Sequence, residues 1–411
     1  MSRKSALARP RAGGHSGAME GPSDQPSFTV DGNRLRLLDT GPRRLEALIA
    51  LIERAERSLR IIYYIYRDDD SGRQVRAALL DAARRGVAVS LIVDAFGSDG
   101  ASDDAFFAPL EAAGGTVCRF EPRFGRRYLL RNHQKLALAD AEGARPCAII
   151  GGFNIDDAYF GRSADQAWRD LGLVVEGPAA GRIARYFDTL STWVRTPRAR
   201  IRTLRRTSYR FSESEGPLRW LIGGPTRRLS AWARTLRADL RGAMRADIVA
   251  AYFCPTPAML RRFDKTGRRR GARVRIVTAA KSDNNATIAA ARFTYAGLLR
   301  KGVEIYEYQP IRLHTKLYVV DDAVHIGSAN FDVRSLFLNM EVMLRIEDKA
   351  FADHARAYVD GEIADSLPVT RAWWHDHAGP WQRVKQAVAY FVVAVLDYNL
   401  TRRLNFGADR D

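Results

Sequence analysis

The chain has 411 residues, too many for one ordinary compact domain and enough for two that each bury a core. Its net charge of +18 indicates an anionic partner, either nucleic acid or an anionic membrane surface. Three widely spaced cysteines imply no disulfide framework, and no Cys/His pattern indicates a structural metal.

The N-terminal segment, residues 1–27, is rich in Gly, Pro, Ser and Arg, which predicts a disordered tail. The basic residues Arg3 and Lys4 are not followed by the apolar stretch of a secretory signal. The longest apolar run near a terminus, Ala387 to Leu396, has ten residues. A segment that crosses a bilayer needs about 20 apolar residues. We therefore expect neither a signal peptide nor a transmembrane segment.

Beyond the tail, predicted helices and strands occur in the same order twice, with an offset of about 180 residues. In the first half, the order is helix, strand, helix, strand and strand, over residues 45–58, 59–66, 74–85, 87–93 and 117–120. The second half repeats strand, helix, strand and strand over residues 248–253, 258–270, 274–277 and 303–308. This alternation predicts an α/β fold with two similar halves related by a pseudo-twofold axis. Each half is expected to have a mixed, largely parallel sheet flanked by helices.

The same patterns divide the chain into five parts. They are the tail 1–27, an N-terminal half 28–195, a basic linker 196–217, a C-terminal half 218–370 and an aromatic, basic segment 371–411. The simplest interpretation of the Arg-rich linker is a solvated connection, and the alternative is a basic patch that faces a membrane.

One string, His-x-Lys-x-x-x-x-Asp, occurs at equivalent places in the two halves. The two copies are His133, Lys135 and Asp140, and His314, Lys316 and Asp321. Each copy is followed by Gly-Gly or Gly-Ser and then by an Asn, which is Asn154 in the first half and Asn330 in the second. Because strand alternation puts residues i and i+2 on one face, each His and its Lys should project together. The duplication predicts two half-sites that meet around one phosphate.

These residue types suit phosphodiester chemistry without a metal or other cofactor. The two Lys would hold non-bridging phosphate oxygens, one neutral His would attack phosphorus, and the other His would protonate the leaving alcohol. Four further residues are expected to support the site. Asn154 and Asn330 would bind phosphate oxygens or order the loop, while Asp170 and Glu341 are candidates to accept the second imidazole N–H. Asp140 and Asp321 complete the candidate catalytic set; we expect them to stabilise the strand-to-loop structure through hydrogen bonds, with direct chemistry as the alternative.

The paired motifs resemble those of the phospholipase D superfamily, and the wider pattern is similar to bacterial cardiolipin synthases. The segments that carry the wider resemblance include Val93-Asp94-Ala95-Phe96-Gly97-Ser98, Trp168-Arg169-Asp170 and Asp332-Val333-Arg334-Ser335. The resemblance implies that His133 is the nucleophile and His314 the general acid and base; the motif alone is symmetric. It also implies transfer of a phosphatidyl group from one phosphatidylglycerol to another, with release of glycerol. One departure is that ten residues separate Asp140 from Gly151, against five between Asp321 and Gly327, so residues 141–146 should lengthen a hairpin loop.

The expected partners are therefore an anionic phospholipid and a membrane surface rather than nucleic acid. Within residues 371–411, the segment from Trp381 to Phe406 combines aromatic and basic residues, which suits an interfacial helix, although a core-packing helix has the same pattern. We expect a peripheral protein on the cytoplasmic side of the inner membrane. Hydrolysis of phospholipids to phosphatidic acid and nuclease or other phosphodiesterase activity remain alternatives on the same site. A membrane-binding scaffold without activity is disfavoured because both sets of motif residues are intact.

Overall fold

The computed structural model describes residues 26–98, 104–121, 130–161, 167–226, 228–267 and 269–396. The tail expected over residues 1–27 lies outside this part of the chain except for its last two residues.

The first half contains nine strands and five helices among the described residues. The strands are β1 Phe28–Val30, β2 Asn33–Leu38, β3 Ser58–Tyr63, β4 Ala88–Asp94, β5 Thr116–Phe120, β6 Leu136–Ala139, β7 Cys147–Gly151, β8 Trp168–Arg169 and β9 Gly172–Glu176. The helices are α1 Gly41–Glu53, α2 Asp70–Arg84, α3 Asp104–Ala112, α4 Pro178–Arg182 and α5 Ala184–Arg195. Helix α6, Ile201–Arg210, follows within the predicted linker and buries Leu204.

The second half repeats this plan and adds helices at its end. Its strands are β10 Leu218–Gly223, β11 Arg245–Ala250, β12 Phe253–Cys254, β13 Arg273–Ala279, β14 Glu304–Tyr308, β15 Arg312–Leu313, β16 Lys316–Val320, β17 Ala323–Gly327, β18 Phe331–Asp332, β19 Glu341–Glu347 and β20 Ser366–Val369. Its helices are α7 Ala231–Asp239, α8 Pro257–Gly267, α9 Asn285–Leu299, α10 Val333–Phe337, α11 Lys349–Ala364, α12 Arg371–His377 and α13 Pro380–Tyr390, which continues as a π-helical turn, Phe391–Leu396.

Each half forms one eight-stranded sheet, and the two sheets have corresponding strand orders. The first is β1-β2-β9-β7-β6-β3-β4-β5, and the second is β10-β19-β17-β16-β11-β13-β14-β20. The motif strands β6 and β16 occupy equivalent central places. The prediction of two similar α/β halves with mixed sheets flanked by helices is confirmed.

The expectation that the sheets are largely parallel is wrong. In the first sheet only β3–β4 and β4–β5 are parallel, and in the second only β11–β13 and β13–β14, among the strands that the structure describes. The other neighbours, including β6–β7 and β16–β17, are antiparallel. Each motif strand turns back directly into the next strand, and a connection this short cannot make the crossover that a parallel pair requires.

The two sheets bury their facing sides against each other. Ile62, Leu136 and Ile150 of the first sheet share one apolar cluster with Leu317 and Ile326 of the second. The intervening residues of β6, such as Ala137, point to a separate cluster beneath the first half's helices. Because both faces of the central strands are buried, their sequences are continuous apolar runs. The halves therefore hold each other in a fixed relation, which brings the two motifs together.

Candidate active site

Backbone hydrogen bonds join each motif to the opposite half just before the motif strand begins. The His133 amide donates to the Met340 carbonyl over 2.9 Å, and the His314 amide donates to the Arg169 carbonyl over 2.7 Å. The segment before His314 also pairs in parallel with β8, Arg312 opposite Trp168. These crossed contacts bring the two half-sites together, as the duplicated motif predicted.

Each histidine is oriented by a carboxylate from the other half. The His133 Nδ1–H donates to Glu341, with N···O distances of 3.0 and 3.1 Å, and the His314 Nδ1–H donates to Asp170 over 2.6 Å. All four side chains are buried. With Nδ1 committed in this way, Nε2 is the ring atom left for chemistry. The sequence indicated that Asp170 and Glu341 could accept the second imidazole N–H. The structure adds that each histidine contacts the carboxylate of the opposite half.

The two carboxylates have different surroundings. Glu341 also accepts hydrogen bonds from the Ser328 and Ser335 hydroxyls, over 2.5 and 2.8 Å, so its charge is shared among three donors. Asp170 has no hydroxyl donor among the described residues and instead accepts from the Leu171 amide over 2.8 Å. Gly152 occupies the place that corresponds to Ser328, and a Cβ there would lie 2.4 Å from the nearer Asp170 oxygen. The first half therefore requires glycine where the second uses a serine hydroxyl.

Lys135 and Lys316 are both buried in the site. Each ammonium donates to the backbone carbonyl of its own motif histidine, and for Lys135 the distance is 2.7 Å. Burial lowers the pKa of Lys135 well below its usual value and lowers that of Lys316 to about 8, while Asp170 and Glu341 act in the opposite direction. The site therefore contains two basic and two acidic side chains, and the carboxylates favour the charged form of the lysines.

Burial favours the neutral form of both imidazoles. Burial lowers the pKa of His133 to about 4, against the attraction of Glu341 and helped by the charge of Lys135. Burial also lowers the pKa of His314 to about 3, where the Lys316 charge is the next cause. An anionic phosphate placed between the lysines would offset their charge and so raise the pKa of both histidines.

Asp140 and Asp321 lie at the other end of the motif strands, away from the histidines. Both have a positive φ, 50° and 47°, as the first residue of the turn. The Asp140 carboxylate accepts hydrogen bonds from the amides of residues 56, 57 and 58, at 2.7 to 3.2 Å. The Asp321 carboxylate accepts from the amides of residues 244 and 245. These contacts fit the predicted role in stabilising the turn. The lengthened hairpin, residues 140–146, is at this far end and leaves the β6–β7 register intact.

Asn154 and Asn330 are buried beside the motif strands. The Asn154 side-chain carbonyl accepts from the Ile65 amide over 3.2 Å, which fixes the segment after β3. The backbone amide of Asn330 donates to the Ser335 hydroxyl over 3.2 Å. The side-chain oxygen of Asn330 has no hydrogen-bond partner among the described residues. Ordering of the loops is thus visible, and binding of phosphate by these residues stays a prediction.

Aromatic side chains lie against both histidines, and the sequence did not identify any of them as a site residue. The Tyr64 ring lies 5.0 Å from the His133 ring and 5.1 Å from the Lys135 ammonium. Around His314 the rings of Tyr159, Trp168 and Tyr252 lie at 5.1, 5.3 and 6.4 Å. Tyr64 directly follows β3 and Tyr252 lies two residues after β11, so both come at the end of the strand that pairs with a motif strand, and this was the available signal. Such walls keep water from the imidazoles and strengthen the charges around them.

Residues 48–191 and 237–362 match the family model described as the phospholipase D-like domain of cardiolipin synthase. The chain is 30% identical to cardiolipin synthase B of Escherichia coli K12 over 370 residues, which covers 84% of this chain and 86% of that protein. It is 31% identical to cardiolipin synthase 1 of Bacillus cereus over 346 residues, 80% of this chain and 66% of that protein. It thus spans just under two thirds of the Bacillus relative's length.

The fold is shared with a solved structure of much lower sequence identity. The phosphatidylserine synthase of Haemophilus influenzae superposes with a TM-score of 0.66 over 93% of this chain and 97% of that one, at 12% identity. At that identity, the likeness concerns the two-half architecture.

Proposed function

Because the chain belongs to the family of phospholipase D-like cardiolipin synthase domains, we propose that it is a phosphatidyltransferase of the cardiolipin synthase type. Its substrates are phospholipids, with phosphatidylglycerol as both donor and acceptor. The observation that carries the proposal is the pair of crossed imidazole–carboxylate contacts beside two buried lysines. This arrangement offers one nucleophile, one proton carrier and two cations to a single phosphodiester.

In the first step, the Nε2 lone pair of neutral His133 attacks phosphorus and forms a P–N bond. The bond from phosphorus to the headgroup oxygen breaks, and protonated His314 gives its Nε2 proton to that oxygen, which releases glycerol. Lys135 and Lys316 stabilise the charge on the non-bridging oxygens. In the second step, His314 takes the proton from the acceptor hydroxyl as its oxygen attacks phosphorus and the P–N bond breaks.

The surroundings of the carboxylates support this division of labour. Asp170 holds His314 at 2.6 Å, and no described hydroxyl competes for it, so it stabilises an imidazolium once a phosphate offsets the Lys316 charge. Glu341 shares its charge with Ser328 and Ser335, which favours a neutral His133. The acid and the nucleophile are therefore assigned to the second and first motif, respectively.

We also propose that α13 and its π-helical continuation bind the membrane interface. Trp381, Val384, Val388, Phe391 and Val392 are exposed, and their helical spacing places them on one face. Trp381 is 68% exposed and Phe391 53%, which is unusual for a face without a partner. Among the described residues, no helix has the length and apolar character needed to cross a bilayer.

The opposite face of α13 holds the helix close to the active site. The Tyr390 hydroxyl donates to the Pro255 carbonyl over 2.9 Å, and its ring lies 4.8 Å from that of Phe293 in α9. Pro255 is three residues after Tyr252, which contacts His314. The Lys385 ammonium lies 5.8 Å from the Trp381 ring and borders the exposed stripe. A helix of this kind would hold the catalytic cleft against an anionic leaflet, which we take to be the cytoplasmic face of the inner membrane.

Two assays test these proposals. Incubation of the purified protein with phosphatidylglycerol vesicles should yield cardiolipin and free glycerol. Phosphatidic acid without cardiolipin would mean hydrolysis, and cleavage of single-stranded DNA without lipid turnover would overturn the proposal. For the membrane surface, Trp381→Glu with Phe391→Glu should lose cosedimentation with the vesicles, whereas Met244→Glu, also exposed and apolar, should retain it. Equal binding by all three proteins would exclude α13 as the docking surface.

A further inference from the structure

A cleft of about 570 Å³ is lined in part by the segment that leads into His314. One wall is the loop after β13, with Lys281 and Ser282, together with Asn285 at the start of α9, and another is the segment from Pro310 to Arg312. Ala167 completes it, next to Trp168, whose ring lies 5.3 Å from the His314 ring. The cleft is thus linked to the imidazole that handles the alcohol in the proposed reaction through Trp168, which contacts both Arg312 and His314.

The charge of this cleft is positive and not neutralised by described residues. Lys281 and Arg312 line it, no carboxylate does, and neither cation forms an ion pair with a residue that the structure describes. The Lys281 ammonium donates to the Pro310 carbonyl over 3.0 Å, and the Arg312 guanidinium lies 5.5 Å from the centre of the Trp168 ring. Ser282 and Asn285 add hydrogen-bonding side chains. Two such cations with polar neighbours suit an anion that has several acceptor oxygens.

The position of the cations relative to His314 sets the size of the ligand. Arg312 precedes His314 by two residues in extended backbone, so both side chains leave the same side and their Cα atoms are about 7 Å apart. The hydrogen bond from the Lys281 ammonium to the Pro310 carbonyl holds the second cation beside the segment that contains Arg312. An alcohol at His314 that carried its own phosphate one glycerol unit away would bring that phosphate to Arg312 and Lys281.

We propose that this cleft binds the phosphate of the acceptor phospholipid, with Arg312 and Lys281 as its ligands. The inference rests on the proposed function and identifies where the second lipid lies. Water and simple alcohols have no phosphate, so they would gain nothing from the two cations. The cleft would thereby favour transfer to an anionic lipid over hydrolysis of the phosphohistidine.

At the equivalent position in the first half, the described residues pack against each other instead. Arg131 precedes His133 as Arg312 precedes His314, but Arg131 is buried and its guanidinium lies 3.9 Å from the centre of the Phe96 ring. By strand register, the uncharged Phe96 stands in the first loop where Lys281 stands in the second. The described residues therefore favour the second half for the acceptor site.

The test separates acceptor binding from the shared first step. Arg312→Ala and Lys281→Ala would be assayed on phosphatidylglycerol vesicles with and without ethanol, with cardiolipin, phosphatidylethanol and phosphatidic acid quantified. We expect cardiolipin formation to fall by about tenfold or more in each variant, as the loss of a charge-assisted hydrogen bond implies. Phosphatidylethanol and phosphatidic acid should change by less than about twofold. Arg84→Ala, an exposed arginine on α2, is the matched control, and Lys281→Arg should restore cardiolipin formation.

The outcomes are distinguishable from failure of the proposed function. Without cardiolipin from the unaltered protein, the proposed function itself fails. If the unaltered protein makes cardiolipin and the alanine variants make it at the same rate, the cleft is not the acceptor site. If all three products fall together in the variants, the residues act on the common phosphohistidine step or on folding, and the acceptor assignment is wrong.

Discussion

The two halves place the same three motif residues on equivalent strands, yet they surround them differently. The histidine of the first half contacts a glutamate that two serine hydroxyls also bind. The histidine of the second contacts an aspartate to which no hydroxyl in the described part of the chain donates. Beside His133 the Arg131–Phe96 contact fills the position where Arg312 and Lys281 line a cleft beside His314. The duplicated fold thus supplies two similar histidines, and the different residues around them favour different catalytic roles.

Removal of each imidazole tests that difference most strongly. His133→Ala and His314→Ala should each lower turnover of phosphatidylglycerol by at least about 10³-fold, because no described group can replace either Nε2. Incubated with phosphatidylglycerol, the His314→Ala protein should accumulate phosphatidyl label on His133, which mass spectrometry of its peptides would locate. Label on His314 in the His133→Ala protein would reverse the assignment.

Replacement of Asp170 or Glu341 by the corresponding amide tests whether the serine hydroxyls around Glu341 make the two imidazole–carboxylate pairs differ. Asp170→Asn should lower turnover by about 10³-fold or more, since its short contact alone stabilises the His314 imidazolium. Glu341→Gln should cost about tenfold less, because Ser328 and Ser335 hold that side chain and already share its charge. The measurement is the rate across pH for both variants. Equal losses, or the reverse order, would show that the hydroxyls do not distinguish the two pairs.

Stability in acid should report the buried, neutral histidines. Their pKa values of about 4 and about 3 lie below that of an unfolded-chain histidine, about 6.5. Between pH 6.5 and 4 these histidines are therefore protonated in the unfolded chain but remain neutral in the folded protein. The free energy of unfolding consequently falls as the pH drops. Each imidazole contributes up to about 1.4 kcal/mol per pH unit.

The matched variants are His133→Asn and His314→Asn, with urea unfolding measured from pH 7 to pH 4. Each should show a shallower loss of stability than the unaltered protein, while His375→Asn, an exposed histidine on α12, should not. Unchanged slopes in both site variants would mean that the histidines are already charged in the folded protein.

The sequence predicts more of the repeat than of the site. The alternating helices and apolar runs predicted the two halves, and the duplicated motif predicted the meeting of His133 with His314, because periodicity and spacing are local properties. It did not predict that Asp170 and Glu341 would cross over, since either half could have supplied each carboxylate until the packing of the facing sheets was known. The antiparallel β6–β7 and β16–β17 pairs were also missed, because apolar runs carry no sign of strand direction. The cleft at Arg312 depends on loop conformations that no local pattern specifies.

The smallest expected difference concerns the two motif aspartates, where the halves should be nearly alike. Asp140→Asn and Asp321→Asn keep a residue that tolerates positive φ and remove only the charge that binds backbone amides. Asp140 accepts from three amides and Asp321 from two, so we expect losses of about 1 kcal/mol in unfolding free energy for the first and less for the second. Turnover per folded molecule should stay within about twofold, because both carboxylates lie at the far end of the motif strands from the imidazoles. A loss of activity without a loss of stability would instead return these residues to the chemistry.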